Sequence, residues 1–415
     1  MTFNRIQVKH LLMCAVLTAG LSTVTTSCSN DDNTPEVTYP VTIIENLPSE
    51  LPSSYVMKSG SVTYTELNTG RVTTFDLPMT VADVLPAGTY DIDGTMVVTY
   101  TDANGAEVEQ ALRAVVSQQV ISATSQSATL KWFFYNPENT LVFGEVYFAG
   151  SPNAAGTNGL YDTYLTIYNN TDEVQYADGI AIVESKFTNA STDRILTPAN
   201  QRDENFTVQT VYVIPGSGKD VAINPGEYIK IVDQAIDWST QVAGALNHTD
   251  ADFEWYDEVT TGSIRDTDNP AVPNLEKWFS YSNTIWLPSN QCNRSYAIVR
   301  FPEGMTAEKF LSEQNGEYSY INAATGKEMA GTKCYLIKYE WVLDGINLSP
   351  REGWTLGALS TSVDASYAAI ADAKVDKTRF GKKFVRKVAG VSAAGHTVLM
   401  DTNDSANDFN VVSAN

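Results

Sequence analysis

Short runs of Val, Thr and Tyr, cut at close intervals by turn residues, restrict this chain to β structure. Ser61-Val62-Thr63-Tyr64-Thr65 runs into Asn68-Thr69-Gly70, residues 72–77 follow, and Thr95-Met96-Val97-Val98-Thr99-Tyr100 leads to Asp102-Ala103-Asn104-Gly105. Successive strand residues point to opposite faces, so a period of two with turn residues between runs marks half-buried strands. Asn104-Gly105 between two such runs predicts a hairpin, because both residue types accept positive φ. No helical period of useful length competes over residues 41–134. A chain with this many alternating strands buries them most simply as a sandwich.

The same pattern continues beyond residue 142. Residues 143–148, 162–170, 174–183, 223–232, 295–301 and 396–400 read as strands, with a Gly/Asn-rich loop over 150–159. Two stretches read as helical, 306–314 behind a Thr306 cap and the alanine-rich 364–373, and both are expected to decorate the sheets.

The N-terminus carries Arg5, Lys9 and His10, an apolar run over 11–21, and small residues ending at Cys28. A basic head, a short apolar run and a small-residue exit describe a secretory signal, too short to span a bilayer. A cysteine at the exit is where a lipoprotein is cleaved and acylated, so residues 1–27 are expected to be removed and Cys28 lipidated, although Thr25 stands where leucine is usual. Ser29, Asn30, Asp31 and Asp32 follow. This resembles the acidic surface-export signal of Bacteroidota lipoproteins. The resemblance implies a lipid-anchored protein displayed at the outer membrane, with residues 28–40 as a flexible acidic tether. No other apolar stretch is long enough to cross a bilayer, so lipid would be the membrane attachment.

The chain has 415 residues, 43% hydrophobic and 18% charged, enough for two or three cores. A net charge of −22 with no basic stripe argues against nucleic acid as a partner. Cys292 and Cys334 are the remaining mature thiols besides Cys28 and form either a disulfide or two buried free thiols. His10, His248 and His396 are too scattered for a His/Cys zinc site.

Several phrases carry a family resemblance. Val84-Leu85-Pro86-Ala87-Gly88-Thr89-Tyr90-Asp91-Ile92 resembles the turn into an edge strand of a transthyretin-like or carboxypeptidase-regulatory-like sandwich, which implies such a domain over residues 41–136. Residues 145–150, 162–184 and 224–232, with Arg386-Lys387 and the closing 401–409, resemble the lamin-tail domain, an immunoglobulin-like sandwich. Together with 251–256 and 341–345 they are similar to a Bacteroidota family of surface lipoproteins of unknown function. The expected architecture is therefore all-β: an N-terminal sandwich, then a larger lamin-tail-like domain over 140–415 with an insertion at about 302–385.

Candidate sites are sparse. Asp250, Asp252 and Glu254 alternate with apolar residues and would share one strand face, either as a weak calcium candidate or as a solvated face. Asp266-Thr267-Asp268-Asn269 is a second acidic turn open to the same two readings. Pro215-Gly216-Ser217-Gly218-Lys219 lacks the spacing and the Ser/Thr of a phosphate loop. No nucleophile elbow or zinc-protease motif is present, so no catalytic residue is assigned and no cofactor is expected. Trp238, Trp255, Trp278 and Trp286 concentrate in one stretch, as a candidate contact surface or, each taken singly, as core aromatics of the sandwich. The expected role is non-catalytic: an accessory protein beside a TonB-dependent receptor, handling iron, haem or glycan. An adhesin or envelope scaffold is the alternative, and a hydrolase using unrecognised carboxylates is a third.

Overall fold

The structure is a computed structural model that describes residues 37–414, apart from 49–50, 79–82, 102–104, 135–140, 192, 198–203, 261–264, 356 and 393. Cys28, the signal segment and most of the expected tether lie outside the described residues. The chain divides into two compact units, residues 1–135 and 136–415.

Unit 1 holds β1 (Thr38–Asn46), β2 (Val56–Glu66), β3 (Val72–Asp76), β4 (Asp83–Pro86), β5 (Gly88–Thr101), β6 (Glu107–Ile121), β7 (Ser127–Lys131) and β8 (Phe133–Phe134). A five-stranded sheet runs β3-β2-β5-β6-β8, and a three-stranded sheet runs β4-β1-β7. The period of two shows directly in the packing. Val62 and Tyr64 of β2 are buried with Ile92, Met96 and Val98 of β5 against Val41, Leu85 and Trp132. The Asn-Gly phrase lies between β5 and β6, which pair antiparallel from Thr101↔Glu107 onward.

Unit 2 begins with β9 (Leu141–Tyr147), β10 (Tyr164–Asn169), β11 (Gln175–Tyr176), β12 (Ile180–Thr188) and β13 (Arg194–Thr197). It continues with β14 (Asn205–Val213), β15 (Ala222–Ile223), β16 (Tyr228–Val232), β17 (Phe253–Glu254), β18 (Glu276–Ser280) and β19 (Arg294–Arg300). The remaining strands are β20 (Asn315–Ile321), β21 (Glu328–Lys338), β22 (Val342–Asn347), β23 (Lys382–Arg386), β24 (Val388–Val391), β25 (Thr397–Leu399) and β26 (Phe409–Ser413). A six-stranded sheet ordered β17-β16-β10-β9-β23-β26 faces a larger one ordered β13-β20-β21-β14-β12-β19-β22. Between them lies the main core, with Val146, Leu165, Ile231 and Phe253 from the first sheet and Ile182, Tyr212, Ile298 and Ile346 from the second. The fold is all-β, with two facing sheets in unit 2 as a sandwich requires.

Two expectations change. Residues 302–385 are more than an insertion, because β20, β21 and β22 within them extend the larger sheet through pairings with β14 and β19. The expected helix over 364–373 is absent. There the backbone bonds to neighbouring segments instead of to itself: Ala365 N–H donates to the Asn403 carbonyl oxygen, and Ala368 N–H to that of Asn347. Buried Asp364 accepts from Asn347 N at 2.6 Å and Ser405 N at 2.8 Å, which ties the segment down in irregular form. The other expected helix forms at Ala307–Glu313, with the Thr306 side chain accepting from Lys309 N.

Candidate functional site

The strand register of the smaller sheet of unit 2 assembles a row of side chains at one end of the sandwich. Tyr147 pairs with Tyr164, and Tyr164 with Val232. Asp233 N–H donates to the Thr163 carbonyl oxygen at 3.0 Å, and Trp255 N–H to that of Val232 at 3.1 Å. One residue beyond those pairs, Phe148, Thr163, Asp233 and Trp255 therefore lie side by side across four strand ends. Alternation places them on the core side, in line with Val146, Leu165, Ile231 and Phe253. All four are buried.

Three of these residues carry polar atoms with no hydrogen-bond partner. Thr163 Oγ1, both carboxyl oxygens of Asp233 and Trp255 Nε1 are buried without a well-formed hydrogen bond, as is Nε1 of adjoining Trp286, which lies near enough to the Glu184 carboxyl to interact with it. Trp255 and Trp286 pack with ring centroids 5.2 Å apart, and Trp286 stacks on Tyr212 at 5.1 Å. Native interiors leave few such groups, so this many in one place marks the row as unusual.

A second set of acids surrounds Asp233. Asp257, itself buried, accepts from Tyr212 OH at 2.8 Å, Trp286 N at 2.7 Å and Lys277 Nζ at 2.6 Å. Asp266 accepts from Asp257 N at 2.9 Å. Buried Glu254 accepts from Ala235 N at 2.8 Å and Asn269 N at 2.7 Å. Burial pushes the Asp233 carboxyl well above the usual carboxylate range, and the neighbouring Asp266 charge adds to it. Trp255 draws it partly back, lying near enough to interact without closing a well-formed hydrogen bond. Burial also pushes Asp266 up to about 6.

The row meets the surface at a cavity of about 300 Å³. Phe148 and Thr163 line it together with Tyr161, Pro288, Asn290 and Gln291. Gly159 and Leu160 at the end of the 150–159 loop also line it, and that loop closes where Leu160 N–H donates to the Ser151 carbonyl oxygen at 2.7 Å and Ser151 N–H to Asp162 at 2.8 Å. Unit 1 has a separate depression of about 360 Å³ over β2, β5 and β6, where Asp76 is the single titratable lining residue.

The residues singled out from sequence are dispersed. Asp250 pairs with Lys230 Nζ at 2.8 Å, and Asp252 accepts from Lys230 N at 2.7 Å. Glu254 is turned inward, so the three acids do not form the shared face expected of a calcium site; among the described residues no group of three acids, histidines or cysteines is placed to hold a metal ion. The expected tryptophan contact surface is also corrected. Trp255 and Trp286 are fully buried, Trp238 is 7% exposed, and Trp278 stacks on Phe301 at 4.9 Å. Cys292 and Cys334 are both buried and no disulfide joins them, and burial pushes the Cys292 thiol up to about 12. The loop over 215–219 wraps a carboxylate of this chain instead of a phosphate, with Gly218 N and Asp220 N donating to Asp178.

Thr163 and Asp233 were not singled out. The signal for Asp233 was present: Ile229, Ile231 and Asp233 follow one another at a period of two, so the acid falls on the apolar face.

The fold and this row define a two-unit all-β protein with a polar-floored cavity in its second unit. Residues 224–414, which include Asp233, Trp255 and Trp286, match the family model DUF4876, a protein of unknown function. The chain also resembles the crystal structure of a DUF4876 family protein from Bacteroides thetaiotaomicron, with a TM-score of 0.54 and 18% identity. That likeness covers 89% of this chain and 93% of the other, and it shows a shared fold. No curated protein matches the chain.

Proposed function

We propose that the mature chain is a lipid-anchored, surface-displayed binding protein of the outer membrane, non-catalytic, working beside a TonB-dependent receptor in nutrient uptake. The cavity of about 300 Å³ in unit 2 carries this reading, because Thr163, whose buried Oγ1 has no hydrogen-bond partner, lines it, with the buried Asp233 carboxyl on the adjacent strand end. Concave, largely apolar sites with a few convergent polar groups are the usual form of small-molecule sites. The export-like residues from Cys28 to Asp32 support the location. The cargo is an iron or haem source, or a glycan.

The test is a crosslinked pull-down from intact cells, with a tag after Asn415 so that the N-terminus stays native. Recovery of an outer-membrane β-barrel receptor, lost together with membrane association in C28S, is the expected result. A protein that remains at the surface and captures no barrel would overturn the receptor role and favour the adhesin or scaffold.

A further inference from the structure

We propose that the row formed by Phe148, Thr163, Asp233 and Trp255 is the inner end of a site for a primary ammonium group carried on a small organic molecule. The inference rests on the cavity being a ligand site, as proposed above, and adds the chemistry it selects.

The acceptor set comes first. Both oxygens of Asp233 and Oγ1 of Thr163 are buried without a well-formed hydrogen bond, and the two residues lie side by side on adjacent strand ends. An ammonium group has three N–H donors and no acceptor, so its donors match these three oxygens in number and kind. Burying a polar group without a partner is costly, and a carboxyl surrounded by protein is an expensive group to leave open.

Charge points the same way. The titratable groups around Asp233 are Asp266, Asp257 and Glu254, with Tyr212 behind them. Lys277 donates from its Nζ to Asp257 within this group. A ligand carrying negative charge is repelled by such a set, whereas a cation is attracted. The indoles of Trp255 and Trp286 border the same place, and aromatic faces favour organic cations. When Asp233 ionises against the ligand, Trp255 Nε1 gains a carboxylate to which it can donate. A metal ion fits less well, because no three acid, His or Cys groups among the described residues share a metal-binding geometry.

Access follows from the row. Phe148 and Thr163 belong to both the row and the cavity lining, so the cavity floor lies one strand from Asp233. A slender aminoalkyl arm entering past Tyr161 and Pro288 would leave the rest of the ligand in the cavity.

The test is calorimetric titration of the mature chain with n-butylamine and, separately, with n-butanol. The amine is expected to bind at least about tenfold more tightly than the alcohol, as the loss of charge-assisted bonds would dictate. Binding is also expected to release a proton as Asp233 ionises, read as a dependence of the measured heat on buffer ionisation enthalpy. D233N, checked for folding by circular dichroism, should abolish the preference for amine, and T163V should weaken it. Equal affinity for amine and alcohol would overturn the ammonium assignment while leaving the cavity a binding site. Undiminished amine binding in D233N would overturn the role of the row. Failure of the wild-type chain to bind either probe would overturn the proposal and leave the row to ordered water, whatever the pull-down shows.

Discussion

Arg386 and Asp344 together hold both backbone polar groups of Phe143. Asp344 accepts from Phe143 N at 2.7 Å, Arg386 Nε donates to the Phe143 carbonyl oxygen at 2.8 Å, and Arg386 Nη2 closes the triangle on Asp344. The pairing of β23 with β9 covers Phe384↔Val146 and Val385↔Glu145, so the ion pair takes over where that ladder stops. Arg386 also lies 3.3 Å from Asp401 and 3.7 Å from Asp408. One buried guanidinium thus joins the sandwich to the closing segment of the chain.

Replacing Arg386 should therefore be severe. R386M keeps side-chain length but leaves Asp344, Asp401 and Asp408 buried around no cation. Breaking a buried pair by removing one partner costs about 3–5 kcal/mol. Urea denaturation of unit 2 is the measurement. A loss below about 1 kcal/mol, the range of exposed pairs, would mean that the cluster is not a structural anchor.

The acids around Asp233 predict an unusual pH dependence. Asp266 is raised from an ordinary 3.8 to about 6 in the fold, so the folded chain binds its proton more tightly than the unfolded chain does. That sign makes the fold gain stability as pH falls from above 6 towards 4, and lose it as pH rises through 6. Asp233 is shifted in the same direction. Acids held low, such as Asp178 and Asp250, act in the opposite sense and lose their contribution only as pH falls below the ordinary carboxylate range. The melting temperature of unit 2 should accordingly be higher at pH 5 than at pH 7.5, and D266N should reduce the difference. A melting temperature that rises steadily from pH 5 to 7.5 would contradict this account.

Much of the fold was legible because strand periodicity and turn chemistry are local. β2, β5 and the β5–β6 pairing can be read from consecutive residues, and so can the Thr306 cap. The failures depend on long-range partners. The 364–373 segment has helix-forming alanines, yet Asn347, Asn403 and Ser405 claim its backbone and Asp364 from elsewhere in the chain. Trp255 and Trp286 are indistinguishable in sequence from exposed platforms, because packing decides their burial. The Thr163–Asp233 opposition joins residues 70 positions apart and depends on a register that no single segment states.

The two thiols give a chemical check on that register. Cys292 sits in the main core and Cys334 on β21, both buried and not bonded to each other. With its pKa up at about 12, Cys292 is a thiol and not a thiolate at neutral pH. Iodoacetamide should label neither residue in the native chain, yet label both in guanidinium without any reductant. Labelling that requires a reductant would show that the pair is bonded and that the arrangement described here is wrong at those positions.

The wall of the cavity depends on two glycines for a reason that conformation alone does not supply. Gly150 has φ +72°, and a Cβ there would lie 2.3 Å from the Leu160 carbonyl oxygen; one on Gly159 would lie 2.3 Å from that of Ala149. The two sides of the loop cross at backbone contact, and no side chain can yield to relieve it. Gly156 has a similar φ of +62° but nothing within 4 Å of its added Cβ. G156A should therefore cost about 1 kcal/mol, the penalty of left-handed backbone alone. G150A should cost more by about 1–3 kcal/mol, the range for forcing atoms into a filled site. Chemical denaturation of both variants separates strain from clash. Equal losses would show that the crossing opens freely, so that the cavity wall is not held by this contact.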